Sequence, residues 1–510
     1  MLRGKPQGGR SMGKYYMGID QGTTGTTVMI LDKDWNCLSK GYREHTQYYP
    51  QPGWVEHDPV EIWGKILEAA TDALYKADIT DANEIACIGL DNQGETVVLW
   101  DNVTGLPVYP AIVWQDRRTS EMADTLAAEH GALIRERTGL VIDAYFSATK
   151  IRWVLDNVPG VKEKIAQGRI CAGTLDAWMI WKLTGGKAFV TDPSTASRTM
   201  LFNVHTGDWD DDILRILEIP REILPPIRKT AEVYGTTEPL AFFGASVPVS
   251  GSVCDQQAAL FGQACLEPGT VKTTYGTGCF MFMNVGDKPV YSPNGLLTTV
   301  GWQLEPDKMT FALDGGIYIA GAAIQWLRDK LKIIQSASET QAMAESVSDT
   351  GGVFFVPAFV GLAAPHWDQY ARGTMVGITG GTTREHIVRA TLESIAYQVK
   401  DNLDVMRKDS GMDIKVMRVD GGACANEFLM QFQADILGIP VEVPENIETT
   451  ALGSAYLAAY GIGELHSLDE VRNKWKLKKR YEPQMDEETR EKLLAKWHKA
   501  VERAKKWEEE

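Results

Sequence analysis

Tyr15-Tyr16-Met17-Gly18-Ile19-Asp20 runs into Gln21-Gly22-Thr23-Thr24-Gly25 and out again through Thr26-Thr27-Val28-Met29-Ile30-Leu31. Two β-rich runs thus flank a turn of glycine and threonine led by an aspartate. Glycine and threonine suit any tight strand-to-strand turn. The same turn also offers backbone N–H groups and small hydroxyls, with no bulky side chain to obstruct a phosphate. Two more such loops follow β-rich runs, Tyr275-Gly276-Thr277-Gly278 and Asp420-Gly421-Gly422-Ala423. Three in this order, two of them led by aspartate, point to a nucleotide cleft shared by two domains and to phosphoryl transfer.

Outward from the first loop, residues 37–43 form a third β-like run, a meander rather than a βαβ crossover. A helix follows, with Asp58 as N-cap, Pro59 in the first turn and Glu61 completing a D-x-x-E box. Its apolar positions Ile62, Trp63, Ile66, Leu67, Ala70, Ala73 and Leu74 fall at helical spacing. Residues 85–90 then read as a buried strand, giving the order βββαβ. The second half repeats the plan, with strands over 271–274, 280–285, 296–303 and 309–313 and a helix over 317–331. A strand over 353–359 and helices over 386–406, 426–437 and 451–460 continue it, with a last helix over 487–507. This repetition implies a duplication, with the boundary near residue 265, where Leu266-Glu267-Pro268-Gly269 breaks the helix over 256–265.

The chain has 510 residues, too long for one core. Its net charge of −16 argues against nucleic acid or an acidic membrane as the main partner. A cleft can still bind phosphate through backbone dipoles and Mg²⁺. No apolar run approaches the ~20 residues of a membrane helix. Residues 1–13 lack the apolar segment of a secretory signal, and Met12 offers an alternative start. The seven scattered cysteines, without CxxC or zinc spacing, read as reduced thiols of a cytoplasmic protein.

Phosphoryl transfer needs positioning and charge neutralisation more than covalent chemistry. Asp20, where a strand ends and the turn begins, is placed to hold Mg²⁺ directly or through water; capping of the turn is the alternative. Asp255 follows an apolar run and opens a helix, where the helix dipole favours the ionised form of a base; a plain N-cap is the alternative. Trp114, in Ala111-Ile112-Val113-Trp114-Gln115-Asp116-Arg117-Arg118, offers a wall against the carbon backbone of a polyol, or is a core tryptophan.

At Tyr145-Phe146-Ser147-Ala148-Thr149-Lys150-Ile151-Arg152-Trp153 the chain resembles the first signature of the FGGY carbohydrate kinases. Gly373-Thr374-Met375-Val376-Gly377-Ile378, running on to His386-Ile387 and Ala390-Thr391-Leu392-Glu393, resembles the second. The likeness extends from about Tyr15 past Trp497. It implies an α/β protein of two ribonuclease-H-like domains, of the actin/hexokinase type, with the catalytic cleft between them. Residues 1–14 would be a flexible tail, 15–265 the polyol and phosphate domain, and 266–510 the nucleotide domain with its C-terminal helix.

The resemblance further implies ATP-dependent phosphorylation of a terminal hydroxyl of glycerol or a close relative, with Mg²⁺. A four- or five-carbon polyol or ketose is the alternative substrate, and a non-catalytic sugar or nucleotide sensor the alternative class. Asp255 would be the general base, with Glu95, Trp114, Tyr145, Gln256 and Phe280 around the polyol. Thr23, Thr24, Gly25 and Thr277 would cradle phosphates; Gly321, Gln325, Gly422 and Asn426 would hold the nucleotide, and Asp20 the metal. Relatives form dimers and tetramers, so a homodimer and a homotetramer stay open.

Two departures stand out. Asn92-Gln93-Gly94-Glu95-Thr96 has glycine where the family usually has an arginine that donates to a polyol hydroxyl. Gly94 is therefore expected to leave a space of side-chain size, filled by a longer substrate or another group. Thr27 stands where an arginine is common, which is expected to weaken nucleotide or product-phosphate contacts. In Leu240-Ala241-Phe242-Phe243-Gly244, Ala241 stands where some relatives carry a phosphorylated histidine. A glycine-and-arginine loop for sugar-bisphosphate inhibition is absent too, and neither control is expected.

Overall fold

The computed structural model describes residues 13–508. Of the expected tail, residues 1–12 lie outside the described residues. Lys14 is tied to Glu84 by a backbone hydrogen bond of 2.6 Å and an ion pair.

The first half is built on a six-stranded sheet. Its strands are β1 (Tyr15–Gln21), β2 (Gly25–Leu31), β3 (Cys37–Glu44), β4 (Ile85–Asn92), β5 (Ala231–Thr236) and β6 (Pro248–Cys254). They lie in the order β5-β6-β4-β1-β2-β3. The β1–β2–β3 meander is antiparallel, and β4 joins β1 in parallel after the helix α1 (Pro59–Lys76). Ile62, Ile66, Ala69, Ala70, Ala73 and Leu74 of α1 bury a stripe against Ile19, Val28, Ile30 and Ile88. Truncating a core residue of this kind, as in Ile66→Ala, costs about 2–5 kcal/mol. Asp58 caps α1 through Val60 N, but the expected box does not form. The Glu61 carboxylate turns instead to Thr46, accepting from its N (3.0 Å) and Oγ1 (2.9 Å).

The second half repeats this design. Its seven-stranded sheet has β7 (Val271–Tyr275), β8 (Cys279–Gly286), β9 (Leu297–Glu305), β10 (Lys308–Ile317), β11 (Met417–Gly421), β12 (Val441–Pro444) and β13 (Leu477–Tyr481). The order is β9-β10-β8-β7-β11-β12-β13, with β7–β8 antiparallel and β7–β11 parallel, as in β1–β2 and β1–β4. The helix expected over 317–331 is shorter. Pairing with Cys279 keeps Ile317 in β10, and the helix spans Gly321–Asp329.

Between the sheets, helix α2 (Asp255–Gly262) meets α6 (Thr449–Gly461), which comes after α3 (Gly321–Asp329), α4 (Arg384–Ser410) and α5 (Glu427–Leu437) in the chain. Although α6 follows β12 of the second sheet in the chain, it packs on β1, β4 and β6 of the first. Backbone meets backbone there: a Cβ on Gly453 would stand 1.9 Å from the Ala258 carbonyl oxygen. The last helix, α7 (Glu487–Ala504), docks on α4 through Trp497, whose Nε1 donates to buried Asp401 at 2.7 Å. Among the described residues no helix is long and apolar enough to cross a membrane.

Candidate active site

The strand ends of both sheets open on one cleft. β1 delivers Asp20 opposite Asp91 of β4 in parallel register. Two carboxylates there cannot both ionise readily. Burial and the Asp20 charge push Asp91 well above the usual carboxylate range. Burial, with the Asp255 and Glu448 charges adding to it, lifts Asp20 to about 7. The loop after β1 closes by Gly22 N donating to Gly25 O at 3.0 Å. Gly25 itself is buried as the first residue of β2, leaving Thr23 and Thr24 to face the cleft.

Deeper in the cleft lies a pocket of about 70 Å³. Glu95, Trp114, Tyr145, Asp255, Gln256 and Phe280, far apart in sequence, all line it. Trp114 is half-buried rather than a core residue, and its Nε1 donates to Thr23 Oγ1 at 2.9 Å. The Tyr145 ring stands edge-on to it at 5.5 Å. Lys150, within the first signature, fixes this segment by donating to the carbonyls of Ala144, Tyr145 and Phe146. The paired arginines beside Trp114 serve structure. Arg118 pairs with Asp116 and Glu56 and stacks on Trp54 at 3.7 Å, while Arg117 pairs with Asp143.

Asp255 is the first residue of α2 rather than its N-cap, which is Cys254. Its Oδ1 accepts from Gln256 N at 2.6 Å. The helix terminus does not dominate its titration. Burial, followed by the Glu95 charge, raises Asp255 to about 6, and Lys272 pulls it down. It therefore stays ionised at neutral pH and accepts a proton more readily than a free carboxylate. Lys272, buried in β7, donates to Gln256 Oε1 and to Thr274 Oγ1, the latter at 3.0 Å.

The pocket opens into a larger cavity of about 370 Å³, lined by Thr23, Thr24, Thr274, Gly276, Thr277 and Gly278 among others. The Tyr275–Gly278 loop rests on the start of α3, with Gly321 N donating to Gly276 O and Ala322 N to Thr277 O, both at 3.0 Å. Gln325 is exposed one turn further along α3. Gly422 borders open space after β11, and Asn426 caps α5 through Leu429 N while donating to Thr340 Oγ1. Asp420, which leads the third loop, is buried and engaged within the protein. Its Oδ2 accepts from Gln263 Nε2 and Thr449 Oγ1, both at 2.7 Å, and so joins the C-cap of α2, β11 and α6.

The space expected at Gly94 is closed. A Cβ there would stand 2.4 Å from Cys254 Sγ and 3.2 Å from Arg198 Cγ. Arg198 reaches the pocket from the turn after the short helix Pro193–Ala196. It pairs with Glu95 (2.7 Å) and with Asp314 of β10 (3.0 Å). Arg198, Asp314 and Cys254 in the pocket wall, and Lys272 behind Gln256, carry no motif that assigns them there. Arg198 stands inside a stretch that resembles the family, but only the fold turns it toward Glu95.

Two sheets of one plan, with glycine-rich loops lining one cavity that adjoins a small pocket, are the frame of a phosphotransferase that works between two domains. The comparisons agree. The chain matches the N-terminal domain of the FGGY family of carbohydrate kinases over residues 15–262 and its C-terminal domain over 271–462. It belongs to that family. It is 56% identical to glycerol kinase 2 of Thermotoga maritima, over 97% of this chain and 99% of that protein. Glycerol kinase of Deinococcus radiodurans is 53% identical, over 98% of this chain and 99% of that one. Among solved structures, Plasmodium falciparum glycerol kinase with ADP has a TM-score of 0.90 at 38% identity, covering 96% of this chain and 98% of that one. A xylulose kinase from Lactobacillus acidophilus shares the fold, with a TM-score of 0.84 at 22% identity over 96% and 97% of the two chains.

Proposed function

We propose that this kinase transfers the γ-phosphoryl group of ATP to a terminal hydroxyl of glycerol. The observation that carries this reading is the pocket of about 70 Å³ with Asp255 in its wall, continuous with the cavity lined by the two glycine-rich loops. It suits a three-carbon polyol, and Cys254 and Arg198 take up the room at Gly94 that a longer one needs. The names of relatives at 53–56% identity support the same substrate.

In this mechanism Glu95 and Gln256 orient the hydroxyls, while Trp114, Tyr145 and Phe280 flank the carbon chain and exclude water. Asp255 accepts the proton of the attacking hydroxyl. Thr23, Thr24 and Thr277, with the N–H groups of their loops, steady the phosphates. Gly321, Gln325, Gly422 and Asn426 bound the nucleotide on the second half. Asp20 fits Mg²⁺ of the kind that arrives with a nucleotide, since that ion takes one or two carboxylates plus phosphate oxygens. No cluster of three or more His, Cys, Asp or Glu among the described residues offers a metal cage. When bound, Mg²⁺ neutralises charge on the transferring phosphoryl group.

A coupled assay of ADP release with MgATP tests the reading over glycerol, dihydroxyacetone, tetritols, pentitols and ketoses. Glycerol is expected to lead every longer substrate by about a hundredfold in kcat/KM, the scale on which pocket size discriminates. A pentitol or ketose that surpassed glycerol would overturn it.

A further inference from the structure

The guanidinium of Arg198 is planar, so fixing two of its nitrogens fixes the direction of the third. Nε donates to Glu95 Oε1 at 2.7 Å in the first half of the molecule, and Nη2 pairs with Asp314 Oδ2 at 3.0 Å in the second. The side chain is 3% exposed. Nη1 is nevertheless buried with no hydrogen-bond partner among the described residues, and so is Asp314 Oδ1. The two partners of one ion pair each keep an unused polar atom, one a donor and one an acceptor, and both residues line the same pocket. Buried polar groups are seldom left unmatched.

A hydroxyl is the group that meets both needs, because it accepts and donates at once. An anion is disfavoured, since the two carboxylates already outweigh the Arg198 charge. We propose that Arg198 and Asp314 together read a hydroxyl of the polyol that is not phosphorylated, which accepts from Nη1 and donates to Oδ1. This rests on the reading that a small polyol fills the pocket. Specificity is thereby set by a pair spanning both halves of the molecule, so that the contact is complete only when the halves are together. Gly94 has a part in this: any larger residue there would collide with Cys254 and the Arg198 stem.

The test is a cycle of protein and substrate changes. Dissociation constants of glycerol, propane-1,2-diol and propane-1,3-diol are measured by calorimetry for the wild type and for Arg198→Lys, together with turnover of glycerol. The wild type is expected to bind glycerol about ten- to hundredfold more tightly than the diol that lacks the contacted hydroxyl, the scale of one charged hydrogen bond. Arg198→Lys is expected to shrink that gap to about threefold. Should the lysine variant fail to fold, Asp314→Asn must shrink the same gap. Equal weakening of all three ligands would mean that Arg198 merely holds Glu95 and Asp314, and would overturn the inference. So would a wild type that binds both diols as well as glycerol. A wild type that binds the polyols but does not turn over glycerol would instead overturn the underlying reading, and the inference with it.

Discussion

Cys254 and Gly94 share one volume: a Cβ on Gly94 would lie 2.4 Å from the Cys254 sulfur. The first residue ends β6 and the second follows β4, and the parallel pairing of Cys254 with Asn92 brings them together. Gly94→Ala is therefore expected to cost about 1–3 kcal/mol of stability by overpacking. Gly94→Arg is expected to lose polyol affinity rather than restore a family-like pocket. Pairing Gly94→Ala with Cys254→Gly is expected to recover most of the loss, as urea denaturation of the two singles and the double would show. Additive costs would refute the shared volume.

Asp255 supplies a pH signature. As the proposed base it must be ionised to act, and burial with the Glu95 charge places its pKa at about 6. The kcat/KM for glycerol is expected to be level above that pH and to fall about tenfold per unit below it. Asp255→Asn is expected to lower kcat by about 10²–10⁴-fold with little change in polyol binding. An acid limb near 4 would show that burial does not govern this carboxylate.

Lys272 acts on the same limb from the other direction. Its charge is the main one lowering the Asp255 pKa, and its Nζ also holds Gln256. In Lys272→Met the acid limb of kcat/KM is expected to move to higher pH, since the protonated form of Asp255 gains in stability. A profile that shifts downward, or stays put while kcat falls, would assign Lys272 a purely packing role.

Gly321 supports the Tyr275–Gly278 loop, proposed to hold phosphate, at backbone contact. A Cβ there would lie 2.6 Å from the Gly276 carbonyl oxygen. Gly321→Ala is expected to displace the Tyr275–Gly278 loop and raise the KM for ATP, with kcat falling about ten- to a hundredfold, as small misplacements can. The KM for glycerol is expected to hold, because Gly321 does not line the polyol pocket. Steady-state kinetics with each substrate varied would separate the two.

The repeated plan was legible because local rules carry it. Apolar alternation and glycine punctuation mark β1–β2 and β7–β8, and the 3.6-residue stripe of α1 marks its buried face. Where local rules met long-range pairing, pairing won. Ile317 reads as helical, but its bond partner in β8 keeps it in a strand. Glu61 has the spacing of a capping box, but Thr46, across the chain in β3's wake, takes its carboxylate.

The sequence alone determined the three loops, the aspartate that opens α2, the order of elements in each half and, through long signatures, the family. All of these depend on neighbours along the chain. Only the tertiary structure decided that Asp420 is a clamp, that the room at Gly94 is taken, and that Arg198 joins Glu95 to Asp314 across the cleft. The same is true of the raised pKa of Asp255. Those outcomes depend on distances between residues tens to hundreds of positions apart, and on the desolvation that follows when they meet, which no local pattern encodes.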